Sequence, residues 1–298
     1  SFSERLNAQK VNERQQILAI QRNVAAAWQQ VVYLQHRKLV LTQIQDLYNQ
    51  FTQAEKRKNE TGESNRLGWL RAQSKLAEIN AEIEGVQEQA KVAIERLQIA
   101  AAMDETPSVT TQKMIRLPHQ AQEMALSPTE ALALNQVDQM QAERALSKSR
   151  WWPNINLELF QGTNQAANAE LYQGIRLGAQ LPLQLRSRNQ EMQQYNLQMK
   201  AAQEQARWTQ QQSQVAYAQL DAERLRLDAL LKNFENEVST LNKQALNIAQ
   251  QAYKAGEIAY LEYAQTVEST QSSELIYLDR LVQYNRVLIQ LRYFDLGL

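Results

Sequence analysis

The chain has 298 residues, with 32 basic and 32 acidic side chains, and it contains no cysteine. The balanced charge leaves no basic stripe for a nucleic-acid partner, and the absence of cysteine excludes disulfides, thiolate metal sites and cysteine nucleophiles. No apolar run approaches the roughly 20 residues of a membrane-spanning helix. All five prolines lie between residues 107 and 182, so both outer thirds of the chain are free to form very long helices.

The first third of the sequence predicts two long helices, over about residues 4–61 and 64–102. In the first, apolar residues recur three and four residues apart from Ile17 to Leu34. In the second, the same spacing is uninterrupted from Trp69 to Ala100. This spacing is a heptad seam, which is typical of knobs-into-holes packing against a neighbouring helix.

The long helical pattern stops in the middle of the chain, where the prolines lie. Residues 103–126 are irregular and form a connector between the outer thirds. Ser127, Pro128 and Glu130 then make a capping box with proline at the first helical position, which predicts a short helix over residues 127–150.

Residues 154–183 predict a β-hairpin because apolar and polar side chains alternate in both halves. One interpretation is an amphipathic hairpin that covers helix ends. The other is a piece of a lipid-facing barrel with a wet inner face. The apolar positions of the second strand are Ile175, Leu177, Ala179 and Leu181.

The last third predicts a second pair of long helices, over about residues 187–254 and 258–294. The first of them carries a seam from Leu227 to Ala252 and would be roughly 100 Å long at 1.5 Å per residue. Short connections force neighbouring helices to be antiparallel. The predicted fold class is therefore mainly α, with two long antiparallel coiled-coil helical hairpins in an internal repeat and a short β-hairpin.

The tips of the two predicted hairpins have similar sequences, 194 residues apart. Residues 62–69 and 256–263 each begin with Gly-Glu, have leucine five residues after the glycine, and have an aromatic residue two positions later. Gly62 and Gly256 suit left-handed helix caps. A chain that builds the same hairpin twice is building a wall or a rod and not a catalytic pocket.

The sequence offers almost no residues for catalysis or metal binding. The two histidines, His36 and His119, stand far apart, and neither has a metal-ligand spacing. His36 lies beside Arg37 and Lys38, which favours a solvated side chain. No nucleotide-binding loop, nucleophile elbow or carboxylate pair is present, so we expect neither an enzyme nor a cofactor.

The order and spacing of these elements resemble the TolC-like outer-membrane efflux proteins. The strongest match is the segment from Ala252 to Tyr263, and with Tyr284 and Asn285 it is most similar to the heavy-metal branch of CzcC/CusC type. That branch includes forms in which this region is fused to a CzcA-type pump. The segments Ser149 to Pro153 and Gln180 to Leu183 resemble the second strand pair of the family and its exit into the next helix.

The resemblance implies an organisation in two structural repeats. Residues 1–102 would be the long hairpin of a first repeat truncated at its N-terminus, without its short helix and strand pair. Residues 103–126 would be the connector. Residues 127–298 would be a complete second repeat, made of a short helix at 127–150, a β-hairpin at 154–183 and a long hairpin at 187–294.

The resemblance also implies a function and partners. The protein would be the outer-membrane channel of a tripartite efflux system of RND type in a Gram-negative bacterium, with a helical tunnel in the periplasm, and it would export heavy-metal cations. Expected partners are a periplasmic adaptor (membrane-fusion) protein, an inner-membrane RND pump, two further copies in a homotrimer, and outer-membrane lipid. The alternative is a soluble periplasmic coiled-coil scaffold without a transport role. The residues expected to contact the adaptor are Gly62, Glu63, Asn65, Arg66, Gly256, Glu257, Ile258 and Tyr260, and those expected to face lipid are Ile175, Leu177, Ala179 and Leu181.

Overall fold

Long helices make up most of the fold. The computed structural model describes residues 2–62, 66–109, 113–119, 126–149, 152, 154–163, 171–180 and 185–295. Within them the elements are α1 Phe2–Glu60, α2 Arg66–Ala100, α3 Pro128–Ser149, β1 Asn154–Thr163, β2 Leu171–Gln180, α4 Leu185–Asn233, a π-helical turn Phe234–Val238, α5 Ser239–Ala255 and α6 Tyr260–Arg292. The fold is mainly α, with two long antiparallel helical hairpins and a short β-hairpin, which confirms the predicted fold class.

The chain forms two compact units, and each combines segments that are distant in sequence. The first unit contains residues 1–15 and 126–213, and the second contains residues 16–125 and 214–296. The boundary between the units passes through α1 and α4, whereas the repeats predicted from sequence divide the chain at residues 102 and 127. The two-repeat organisation stays a prediction.

In the first unit, α3 begins at the predicted capping box. The Ser127 N–H donates to Glu130 Oε2 at 2.8 Å, and the Glu130 N–H donates to Ser127 Oγ at 3.2 Å. Small side chains then pack α3 against α4, with Val137, Ala202 and Ala206 buried together. Alanines allow the two helix backbones to approach closely.

The β-hairpin of the first unit has one apolar face and one polar face. β1 and β2 pair antiparallel in a register that sets apolar residues opposite apolar residues, Ile155 with Ala179, Leu157 with Leu177, and Leu159 with Ile175. On the opposite face, Arg176 Nη1 lies 3.0 Å from Glu158 Oε2. The paired strands therefore place apolar side chains on one face and polar side chains on the other, as the sequence predicts.

In the second unit, the predicted seam of α2 is the buried face of that helix. The core side chains come from α1, α2, α5 and α6. The seam residues that are buried are Ala72, Ile79, Ile83, Val86, Ala93 and Leu97. The heptad prediction for this helix is confirmed.

The predicted seam of the third long helix is correct only before the π-helical turn. Leu227 and Leu231 are fully buried, but Leu241 is 56% exposed and Ile248 is 67% exposed. The buried or core-packed residues after the turn are Leu246, Ala249 and Tyr253. Each lies one position beyond the predicted seam residue, because a π turn inserts one extra residue without breaking the helix.

Both hairpin tips use glycine in the left-handed conformation, as predicted. The φ angle is 78° at Gly62 and 75° at Gly256. At the second tip, the Gly256 N–H donates to the Tyr253 carbonyl at 3.1 Å, and the Glu257 N–H donates to the Ala252 carbonyl at 2.9 Å. These two bonds satisfy carbonyls that the end of α5 would otherwise leave unpaired.

Replacing Gly256 with alanine is expected to lower the free energy of unfolding by about 1–2 kcal/mol, the strain of a Cβ at positive φ. Gly85 provides the matched control, because it is exposed in the middle of α2 with nothing within 4 Å of an added Cβ. There, alanine is expected to stabilise the helix by about 0.5–1 kcal/mol. Urea unfolding followed by circular dichroism measures both changes, and a destabilising Gly85→Ala or a neutral Gly256→Ala would contradict this account.

Candidate functional site

The tips of the two hairpins lie side by side at one end of the second unit. Tyr253, near the end of α5, donates its hydroxyl hydrogen bond to Glu55 Oε1, near the end of α1, at 3.1 Å. The rings of Phe51 and Tyr260 have centroids 5.5 Å apart. The two hairpins therefore point in the same direction.

Five aromatic residues near the tips form a cluster, which we call the tip aromatic cluster: Tyr48, Phe51, Tyr253, Tyr260 and Tyr263. Phe51 lies at its centre and makes edge-to-face contacts with the other four rings, with centroid distances from 4.8 to 6.0 Å. Tyr253 and Tyr263 stack at 5.1 Å. Since such pairs contribute beyond their buried area, the cluster makes the paired tips a rigid surface.

Two charged side chains of α1, Glu55 and Lys58, contact Tyr253 of this cluster. Glu55 is only 3% exposed, and the Nζ of Lys58 lies 4.7 Å from the centre of the Tyr253 ring. Both residues come from hairpin one, while Tyr253 belongs to hairpin two. A glutamate inside a helix normally indicates a solvated face, so no local pattern predicts that Glu55 is buried.

The predicted tip residues differ in their accessibility. Arg66 and Glu257 are exposed, as are the glycines at 62 and 256. Ile258 and Tyr260 are half-buried and pack against the core, so their side chains help to close the hairpin. Glu63 and Asn65 lie outside the described residues.

Burial in the tip aromatic cluster raises the pKa values of its tyrosines. The pKa of Tyr48 rises to about 12, through burial and then the nearby carboxylate of Glu268. Burial also raises the pKa of Tyr260 to about 12, with a further contribution from Tyr48. The pKa of Tyr263 is raised by burial as well.

These shifts predict that the paired tips lose stability in alkali. In the unfolded chain tyrosine ionises near pH 10, whereas Tyr48 and Tyr260 stay protonated to about pH 12 when folded. The stabilisation is therefore complete below about pH 10 and is lost as the pH rises towards about 12. We expect the urea midpoint to fall between about pH 9 and pH 11, and to fall less in Tyr48→Phe and Tyr260→Phe, which cannot ionise. Equal falls in the wild type and both variants would contradict the prediction.

A second group of polar contacts surrounds residues 113–119, an extended segment that we call the strap. Asn285 of α6 is completely buried. Its Oδ1 accepts from the Leu117 N–H at 3.0 Å, and its Nδ2 donates to the Ile115 carbonyl and to Gln29 Oε1, both at 2.9 Å. One amide side chain thus joins the strap to both hairpins.

Arg116 fixes the centre of the strap to the second hairpin. Its guanidinium pairs with Asp228 and, at 3.3 Å, with Glu235 in the π-helical turn. It also lies over the ring of Tyr284, 4.8 Å from the centroid. Glu235 in turn accepts a hydrogen bond from Tyr277 at 2.9 Å.

The strap also corrects the prediction that His36 is solvated. His36 is half-buried, and its Nδ1 accepts a hydrogen bond from the Met114 N–H at 3.2 Å. Its helical neighbours Arg37 and Lys38 suggested a wet surface, but the strap covers this side of α1. A contact with a segment 78 residues away has no local signal in the sequence.

The predicted lipid-facing residues share one exposed face of the β-hairpin. Ile175 is 70% exposed and Leu177 is 72% exposed. Ala179 is also exposed and points to the same side, while Leu181 lies outside the described residues. The cross-strand neighbours Ile155, Leu157 and Leu159 are exposed as well, which makes a continuous apolar face of the kind that marks an interaction surface.

Two kinds of feature are absent from the described part of the chain. No helix in it combines the length and apolar character needed to cross a membrane. Nor do three or more histidine, aspartate or glutamate side chains come together there in a group that could hold a metal ion.

The fold of this chain is similar to that of several solved outer-membrane channels. The structure of CusC matches with a TM-score of 0.78 and 17% identity over 96% of this chain and 71% of that one. The open-state MtrE outer membrane channel of Neisseria gonorrhoeae matches with a TM-score of 0.74 and 17% identity, over 97% and 68%. The CmeC outer membrane channel of Campylobacter jejuni matches with a TM-score of 0.72 and 12% identity, over 99% and 66%.

No protein-family model matches the chain, and no curated protein matches it. The sequence identities to the solved channels are low, so the structural likeness establishes the fold. The chain therefore has the fold of the TolC-like outer-membrane channels, and it spans between 66% and 71% of the length of the three described above.

Proposed function

We propose that the protein is the outer-membrane channel component of a tripartite efflux system of RND type in a Gram-negative bacterium. The observation that carries this proposal is the fold, which covers at least 96% of the chain in each of the three structural matches. Heavy-metal cations are the proposed cargo. The similarity of residues 252–263 to the heavy-metal branch supports this, as does the presence of CusC among the structural matches.

The paired tips are the proposed docking surface for a periplasmic adaptor, which would connect the channel to the inner-membrane pump. Arg66 and Glu257 place one positive and one negative charge on the exposed surface of the tips. Leu67 and Leu261 occupy equivalent positions in the two tip sequences and are 50% and 48% exposed. Exposed leucines beside charged groups, on a base made rigid by the tip aromatic cluster, fit a protein partner.

The apolar face of the β-hairpin is the proposed contact with outer-membrane lipid, in a homotrimer. Its opposite face carries the ion pair of Glu158 and Arg176. An apolar face backed by a charged face fits a strand pair with lipid on one side and water on the other.

Charge reversal at the tips tests the docking proposal. Arg66→Glu and Glu257→Arg are expected to reduce crosslinking to the adaptor in cells by about tenfold, which corresponds to about 1.4 kcal/mol of binding free energy. Resistance to the exported metal should fall in parallel. Arg207→Glu is the control, because Arg207 is also exposed but lies in the first unit.

The outcomes separate the competing roles of the tips. Unchanged crosslinking and resistance in both tip variants would mean that these residues only close the hairpins. Loss of crosslinking with unchanged export would instead favour a periplasmic scaffold.

A further inference from the structure

The strap is fixed at three points, and these points respond differently to acid. At its start, the Met114 N–H donates to Nδ1 of His36 at 3.2 Å. At its centre, Arg116 pairs with Asp228 and Glu235. At Leu117, the backbone N–H donates to the side-chain amide of Asn285.

The bond to His36 requires a neutral imidazole. A ring nitrogen accepts a hydrogen bond only when it carries no proton, and both nitrogens of the imidazolium ion are donors. The observed contact therefore requires the tautomer with its proton on Nε2. Adding a proton to Nδ1 would place two N–H groups against each other.

The other two attachments are insensitive to acid in this range. The amide of Asn285 does not titrate, and guanidinium stays charged at all relevant pH values. Aspartate and glutamate ordinarily remain ionised down to about pH 4. Between about pH 7 and pH 5, histidine is the group of this set that changes charge.

The charges around His36 also oppose its protonation. The ammonium group of Lys113, on the strap, lowers the pKa of His36 in addition to the larger effect of burial. On α1, Arg37 is engaged by Glu82 of α2 and by Asp279 of α6. Asp279 is also hydrogen-bonded by Tyr33 at 2.5 Å, so these carboxylates already have partners of their own.

We propose that the strap is an acid-released clasp, in which protonation of His36 frees the Met114 end while Arg116 and Asn285 hold the rest. The stabilisation by His36 is present above about pH 6.5, the ordinary value for histidine, and is lost as the pH falls below it. Met114 is buried against the core of the second hairpin, beside Leu227 and Leu231. Protonation therefore removes the bond between the Met114 N–H and α1 and loosens this end of the strap from that helix.

Titration of the full chain by NMR tests the proposal directly, because the chain has only two histidines. Nitrogen-15 shifts of the imidazole rings report tautomer and protonation. We expect the His36 ring to be the Nε2–H tautomer at neutral pH and to have a pKa below the ordinary histidine value of about 6.5, chiefly because it is buried. A His36 ring that titrates at or above that ordinary value, or that carries its proton on Nδ1, would overturn the proposal.

Hydrogen exchange measures the release itself. After correction for the intrinsic pH dependence of exchange, protection of the Met114 amide is expected to fall roughly fivefold between about pH 7.5 and pH 5, the factor that corresponds to one ordinary hydrogen bond. His36→Asn, whose oxygen accepts at all pH values, should abolish this fall, and His119→Asn should leave it unchanged. A fall that persists in His36→Asn, or constant protection in the wild type, would contradict the clasp.

Discussion

Replacing Asn285 with alanine is expected to destabilise the protein by about 3 kcal/mol or more. The substitution removes the partners of the Leu117 N–H, the Ile115 carbonyl and Gln29 Oε1. Each buried polar group left without a partner costs about 1–3 kcal/mol. The Asn285 side chain is completely buried, whereas its three hydrogen bonds are part-buried, so we take the lower end of this range for each partner.

The measurement is urea unfolding, with Asn80→Ala as the control. Asn80 also makes a side-chain hydrogen bond, from Gln45 Nε2 at 2.7 Å, but it lies on the exposed face of α2. Its replacement is expected to change stability by less than about 0.5 kcal/mol. Similar values for the two variants would mean that the strap contributes little to holding the hairpins together.

Arginine in place of Leu177 is expected to reduce assembly in the outer membrane severalfold. Leu177 lies opposite Leu157 at the middle of the apolar face, which we propose to meet lipid. An arginine at the bilayer midplane costs about 2–4 kcal/mol. The amount of protein in the outer-membrane fraction, measured by immunoblotting after fractionation, should fall severalfold.

Asn156→Arg supplies the matched control for the added charge. Asn156 lies on the opposite face of the same hairpin, paired with Gly178, and is exposed. We expect normal amounts of this variant in the outer membrane. If Asn156→Arg were lost and Leu177→Arg were retained, the lipid-facing assignment would be inverted.

The features that sequence predicts well in this protein are those with a local, periodic signal. The seam of α2 needs only the helical repeat, and it matches the buried residues from Ala72 to Leu97. The capping box at Ser127 and Glu130 is complete within four residues. The two tip glycines predict a left-handed conformation at these positions, because few other residues adopt it without strain.

The features that sequence misses depend on long-range contacts. The partners of Asn285 lie about 170 and 256 residues away, so no window along the chain reveals them. Glu55 is buried beside Tyr253 of the other hairpin, 198 residues away. The strap has no periodicity at all, and its position follows from the side chains it meets on α1, α4 and α6.

The π-helical turn has a consequence for the internal repeat predicted from the sequence. The equivalent part of α1, around residues 40–44, is an uninterrupted α-helix. The extra residue therefore has no counterpart in the first hairpin, although the tips are related by an offset of 194 residues. On the far side of the turn from the tip, structural equivalence requires an offset of 193 instead. An alignment of the two predicted repeats without a gap would match residues of α4 to the wrong face of α1, so a superposition that tests the predicted repeat needs a one-residue gap inside residues 234–238.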